Sequence, residues 1–391
     1  MKFVIQMNEA RDLENIINSE VQEVILASSE LARFGELSLN EVQDIARRLT
    51  DCGKRPVLCF DILMTENVFA QKMSLLNTLD LSVFSAIRVQ DPGALSYLLE
   101  HPSSPMIQLI VETGNHNTRA ILEWAEIAGE KLDRLILSLE WPRTELFKLL
   151  SETGLPFEIM GLGPILLFYS PRSLVRPLVN DEWASSGQLS LNANSEESPH
   201  KGFRVLENSH GTFMFHPKHH GLLEEVLELK TAGLSAFRLE LVGSDDRELI
   251  ANFAQLLKAR DEESVLRVSA AIKERYDHTL IKGFYKANKS NVLFKKLKND
   301  RLSARSDSLV GPVLDYQKGR PLAVRNLHPT RSVCLGESFS FLSTEGKKKE
   351  LKLERLLNIS GQEITELAPG AIGLFPFVGS MSVKSQVFWQ N

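Results

Sequence analysis

Five carboxylates fall at the ends of short apolar runs: Asp61 after Pro56–Phe60, Asp91 after Ala86–Val89, Glu112 after Ile107–Val111, Glu140 after Arg134–Leu139, and Glu240 inside Ala236–Leu241 beside Arg238. If those runs are parallel strands closed into a barrel, their C-terminal ends converge, and the carboxylates ring one mouth together with Arg238 and with Arg172 from a long connection. Such a ring can bind a polar ligand, or it can supply a general acid and a general base, with Glu140 and Glu240 as the catalytic candidates. Alternatively, the same residues only bridge one another and solvate loops. His210, His216, His219 and His220 form a histidine cluster, but no carboxylate or thiol stands at a recognised ligand spacing, and no metal site is expected. No HExxH or GxSxG is present, so proteolysis has no sequence motif behind it.

The elements that would position these groups are legible as an alternation of β-branched runs with amphipathic stretches. Strands are expected at Lys2–Gln6, Glu23–Ala27, Pro56–Phe60, Ala86–Val89, Ile107–Val111, Arg134–Leu139, Phe157–Leu162 and Ala236–Leu241. Between them, Ser38–Leu49 places Leu39, Val42, Ile45, Ala46 and Leu49 on one helical face, and Ser38 with Glu41 fits a capping box. Further helices are expected at Asn117–Ala128, Pro142–Ser151, Leu222–Lys230 and Asp246–Lys258. The fold class is therefore α/β: a (β/α)8 TIM-like barrel over 1–270, followed by a small β-rich domain over 271–391. The spacing breaks at about 164–220, where an insertion carrying a hairpin, Gly202–Leu206 with Thr212–His216, lies at the barrel mouth. The second domain is read from short runs at Val310–Tyr316, Leu322–Arg325, Ser338–Leu342, Leu351–Leu356 and Ile372–Phe377.

Composition narrows the function classes. A chain of 391 residues with net charge −5 is no general polyanion binder. Positive charge is concentrated in 282–305, where Lys282, Lys286, Lys289, Lys295, Lys296, Lys298, Arg301 and Arg305 oppose Asp300 alone, with Phe284, Tyr285 and Phe294 among them. That mixture can follow phosphates and stack bases, which makes Lys286, Lys289, Lys295, Lys296, Lys298 and Arg301 candidates for RNA contact. No apolar run reaches the ~20 residues of a membrane span. The three cysteines, Cys52, Cys59 and Cys334, form no CxxC, so a reducing, cytoplasmic protein is expected.

Several landmarks in order resemble the collagenase-like peptidase family U32, which includes RNA-hydroxylation proteins and an anaerobic ubiquinone-hydroxylation pair. Glu23-Val-Ile-Leu-Ala27 with Leu31-Ala-Arg-Phe34 is similar to the family's second strand and arginine loop, and Ile136-Leu-Ser-Leu-Glu140 to the strand ending in its glutamate. Phe168-Tyr-Ser-Pro-Arg-Ser-Leu-Val175 resembles its Tyr-Ser-Gly-Arg-Cys signature, adding Tyr169 to the ligand-binding candidates. Thr231-Ala-Gly-Leu-Ser-Ala-Phe-Arg-Leu-Glu240 is similar to Ala-Gly-Val-Asp-Ser-Leu-Lys-Ile-Glu; Ile281-Lys-Gly-Phe284 and Val310-Gly-Pro-Val313 resemble the opening of its C-terminal domain. The resemblance implies, in the hydroxylating members, an iron–sulfur cluster on four cysteines. Here the signature cysteine is Ser173, the early one corresponds to about Leu31, and Asn180–Gly187 has none. No cluster and no other cofactor is expected. The chain reads as a degenerate member that binds a small polar ligand, a protein partner or RNA, or else as a hydrolase working through mouth carboxylates.

Overall fold

The computed structural model describes residues 1–391 except 8, 113–114, 180–186, 195–201, 242–245, 287–307, 345 and 391. By its internal contacts the chain divides into two compact units, 1–289 and 290–391.

In the first unit, β1 (Lys2–Met7), β2 (Glu23–Ala27), β3 (Arg55–Phe60), β4 (Ala86–Val89), β5 (Met106–Val111), β6 (Leu132–Leu137) and β7 (Phe157–Gly163) pair in sequence, all parallel. The last barrel strand, Ala236–Leu239, pairs in parallel with both β7 and β1, with Ala236 opposite Glu158 on one side and Lys2 on the other. This closes the eight-stranded barrel. Every second side chain points out and joins the helices in one core, as Phe3, Ile5, Leu58, Ile87, Leu109, Leu135 and Phe237 do. The helix Leu39–Asp51 buries Val42, Ile45, Ala46 and Leu49, and its start is the expected capping box: Ser38 accepts from the Glu41 amide while Glu41 accepts from the Ser38 amide.

The insertion is larger than a hairpin. After β8 (Leu166–Ser170), β9 (Leu189–Ala193) and the hairpin β10 (Phe203–Asn208) and β11 (Gly211–Phe215) complete a four-stranded antiparallel sheet in the order β8-β11-β10-β9. A short β12 (His219–Gly221) then pairs antiparallel with β7, and β13 is the last barrel strand, Ala236–Leu239. Beyond it, the helices Arg247–Lys258 and Glu262–Arg275 pack together, and β14 (Leu280–Ile281) adds to β12. Residues 271–285 therefore belong to the barrel unit, later than the boundary expected at 270/271.

The second unit contains β15 (Leu309–Asp315), β16 (Leu322–Arg325), β17 (Val333–Cys334), β18 (Ser338–Leu342), β19 (Lys348–Lys352), β20 (Leu357–Asn358), β21 (Glu366–Leu367), β22 (Ile372–Phe375) and β23 (Gln386–Trp389). Seven of them form an antiparallel sheet in the order β19-β18-β23-β15-β16-β22-β20 over a core with Val310, Phe339, Phe341, Phe375 and Trp389. The expected strand Leu351–Leu356 is corrected to Lys348–Lys352, because the hairpin register with β18 pairs Leu342 with Lys348 and Ser338 with Lys352. Leu353 and Leu356 are buried beyond the strand end. The central strand β23 was not foreseen.

Candidate active site at the barrel mouth

Inside the barrel, small and apolar side chains, Val4, Ile25, Ala27, Cys59 and Ala236, make one cluster. The wall formed by β4 to β7 and the last strand is charged instead. Glu158, fully buried, accepts from both terminal nitrogens of Arg88 at 2.9 and 2.8 Å and from Nε of Arg134 at 2.9 Å, and Nε of Arg238 is an ion-pair contact at 3.3 Å without a hydrogen bond. Burial alone would favour the neutral acid, but Arg88, Arg134 and Arg238 outweigh it and bring Glu158 down to about 2. Gln108 extends the chain, accepting from Arg88 and donating to Glu23 at 2.8 Å.

This chain of charges continues upward to the mouth. Arg33, on the loop after β2, gives its backbone N–H and Nε to Asp61, both at 2.8 Å. The loop is tight: a Cβ at Gly35 would lie 2.0 Å from the Ser28 carbonyl oxygen, so only glycine lets it close. Burial works against the charge of Asp61, yet the Arg33 guanidinium and amide hold it below the usual carboxylate range. Arg238 binds Glu240 through Nη1 at 2.9 Å, and Glu112 lies 3.5 Å from Arg238 Nη2 and 3.8 Å from Arg33 Nη2. Glu240 is pushed up by desolvation, reinforced by Glu112 and opposed by Arg238. Arg33, Asp61, Glu112, Arg238 and Glu240 thus form one connected set.

The remaining expected residues go elsewhere. Asp91 caps the helix Pro92–Glu100, accepting from Ala94 N at 3.0 Å and from Met64 N at 3.1 Å. Glu140 is exposed and faces His116 at 3.5 Å, with no bond to Glu240. Tyr169 stacks on Phe213 and donates to the His210 carbonyl, and Arg172 is exposed on the inserted segment. The insertion itself docks on the β2 loop: Asn208 donates to the Arg33 carbonyl at 2.8 Å, and Phe34 meets the Phe213 ring at 4.6 Å.

The signature segment is latched by a residue the sequence did not single out. Glu207, 1% exposed, accepts from the Ser173 and Thr212 hydroxyls and from the amides of Leu174, Val175 and Arg176 at 2.8 to 3.0 Å. Burial raises its pKa, but these donors win and hold it at about 2. An iron–sulfur cluster does not fit this donor set: the Ser173 hydroxyl is committed to Glu207, Leu31 is a buried aliphatic side chain, Cys52 is exposed at a helix end, Cys59 is inside the barrel and Cys334 is in the other unit. The histidines do not converge either. His210 meets the Ser29 carbonyl, His216 accepts from Lys218 N, His219 pairs with Tyr276 and stacks on His278, and His220 is buried. Among the described residues, no group of three or more His, Cys, Asp or Glu is arranged to hold a metal ion.

In the basic segment, Lys282 pairs with Glu224 and Glu225, and Tyr285 is buried with its hydroxyl on Glu228. Lys286 is exposed, while Lys289, Lys295, Lys296, Lys298 and Arg301 lie outside the described residues.

A parallel eight-stranded barrel with a charged mouth and a sheet inserted after its seventh strand defines the class. The family model of peptidase family U32 matches residues 9–293, and the chain belongs to that family. Among solved structures it is similar to the U32 peptidase Mk0906, at 12% identity over 63% of this chain and 94% of that one, with a TM-score of 0.39. It is also similar to the C-terminal domain of a Geobacillus thermoleovorans U32 family protein, at 17% identity over 22% and 98% with a TM-score of 0.20. Phosphoribosyl anthranilate isomerase from Thermus thermophilus matches at 11% identity over 69% and 100%, with a TM-score of 0.37. No curated protein matches. Among the described residues, no helix is long and apolar enough to cross a membrane.

Proposed function

We propose that this chain is a degenerate U32 family member, without iron–sulfur redox chemistry, that binds a small polar ligand at its barrel mouth. The observation that carries the reading is the connected set Arg33, Asp61, Glu112, Arg238 and Glu240, delivered by three strand ends and one loop to a single mouth. The commitment of the Ser173 hydroxyl to Glu207 supports the absence of a cluster, and three unpaired cysteines accord with a cytoplasmic location. A protein partner is compatible with the same mouth. RNA contact rests on the composition of 282–305 alone.

The test is native mass spectrometry with iron and sulfide analysis on full-length protein purified anaerobically, as wild type and as Arg238→Gln. A small molecule is expected on the wild type and lost from the variant, with no iron. Stoichiometric iron and sulfide, or a ligand retained by Arg238→Gln, would overturn the reading. One observation favours a hydrolase instead: within one connected set, burial and Glu112 push Glu240 toward the protonated form while Arg33 holds Asp61 ionised, so the mouth offers an acid and a base. Peptide turnover by purified protein that disappears in Glu240→Gln would establish that alternative.

A further inference from the structure

We infer that the ligand of the mouth is a small carboxylate, and that Glu112 occupies its place in the protein without ligand. This deepens the mouth-binding proposal and rests on it. Arg33 is anchored by Asp61 on Nε, and Arg238 is flanked by two ion-pair partners, Glu158 near Nε and Glu240 at Nη1. Each then directs Nη2 at Glu112, one toward each carboxylate oxygen. Two guanidinium Nη2 groups, each arginine held by other carboxylates and both converging on one planar anion, make a carboxylate receptor.

Glu112 fills that receptor loosely. Its contacts are 3.5 and 3.8 Å, whereas the anchoring pairs Arg33–Asp61 and Arg238–Glu240 are 2.8 and 2.9 Å and charge-assisted bonds usually lie at about 2.7–2.9 Å. Its side chain is 30% exposed, against 10% and 9% for the two arginines, so it lies on the solvent side of the pair. Displacing Glu112 leaves Arg33 with Asp61 and Arg238 with Glu158 and Glu240, and takes away the one carboxylate that faces both guanidiniums, so a group of the same charge restores the balance. A cation is repelled and a neutral ligand leaves that charge unmet. A planar carboxylate reproduces both oxygen positions with the charge that Glu112 itself carries, and phosphate, which arginine also binds, is the competing anion that the test separates from it.

The internal carboxylate therefore competes with the external one, and removing its charge at constant shape tightens binding. Titration calorimetry on the full chain, with acetate, succinate, inorganic phosphate, putrescine and glucose as probes, tests this. Glu112→Gln is expected to bind acetate and succinate about tenfold tighter than the wild type, as lifting a competing occupied state requires. As a second reading, acetate, but not equimolar chloride, should raise the melting temperature of Glu112→Ala while leaving that of the wild type unmoved. Failure of both effects overturns the inference. If phosphate alone gains from Glu112→Gln, or if putrescine or glucose binds and is lost in Arg238→Gln, the carboxylate inference falls and the mouth reading stands. If no probe binds any variant, both fall.

Discussion

The two sides of the barrel bore are built from opposite materials. Val4, Ile25, Ala27 and Cys59, on β1 to β3, line one side mostly with uncharged groups, while Arg88, Gln108, Arg134, Glu158 and Arg238 come from the other strands, and Glu23 at the start of β2 reaches across to Gln108 and Arg134. The small side is also what makes room for long guanidinium side chains within a closed barrel of fixed diameter. Its contribution comes from packing, which tolerates small changes of shape. The charged side is held by reciprocal ion pairs in which each partner justifies the burial of the next, so it fails when any one is removed. The charged side also leads directly into the mouth, because Arg238 is shared between Glu158 below and Glu240 above.

The largest expected effect is on the shared anion. Glu158→Gln leaves Arg88, Arg134 and Arg238 without their common counter-charge and should cost about 3–5 kcal/mol in urea unfolding. A loss no greater than that of a conservative packing change would break the contrast between the two sides. The pH dependence follows from the same residue. Glu158 is depressed from 4.5 to about 2 on folding, so its stabilisation is complete above about pH 4.5 and is lost as pH falls toward 2. Thermal melts between about pH 6 and pH 3 should show a steep acid limb for the wild type and a flatter one for Glu158→Gln; parallel limbs would assign the acid sensitivity elsewhere. The smallest effect belongs to the apolar side, where Ile25→Val should cost about 0.5–1.5 kcal/mol with no change in the acid limb.

Legibility followed the same division. The eight strands could be read because outward-facing residues repeat as β-branched and aliphatic groups, and Asp61, Glu112 and Glu240 could be nominated because strand ends are marked by the chemistry that follows them. Arg88, Gln108, Arg134 and Glu158 were passed over, although each is a polar residue inside an otherwise apolar strand: Ala86-Ile-Arg-Val89, Met106-Ile-Gln-Leu109, Leu132-Asp-Arg-Leu135 and Phe157-Glu-Ile159. A polar residue in a strand buried on both faces was the available signal. It has no meaning until a partner is known, and Glu158 is separated from Arg88 by 70 positions. Glu207 was hidden for a similar reason, since its donors include three consecutive backbone amides that no side-chain pattern announces.

Glu140 and Glu240 make the point most directly. In sequence they are equivalent, two glutamates at the ends of barrel strands. In the structure Glu240 sits against Arg238, whereas Glu140 turns to the exposed His116. The sequence by itself determined the strands, the Ser38 capping box and the presence of an insertion, because those depend on patterns among near neighbours along the chain. Only closure of the barrel decided which charges meet, because a strand's alternation places a side chain inside or outside while the ring of strands selects its partner from a distant segment.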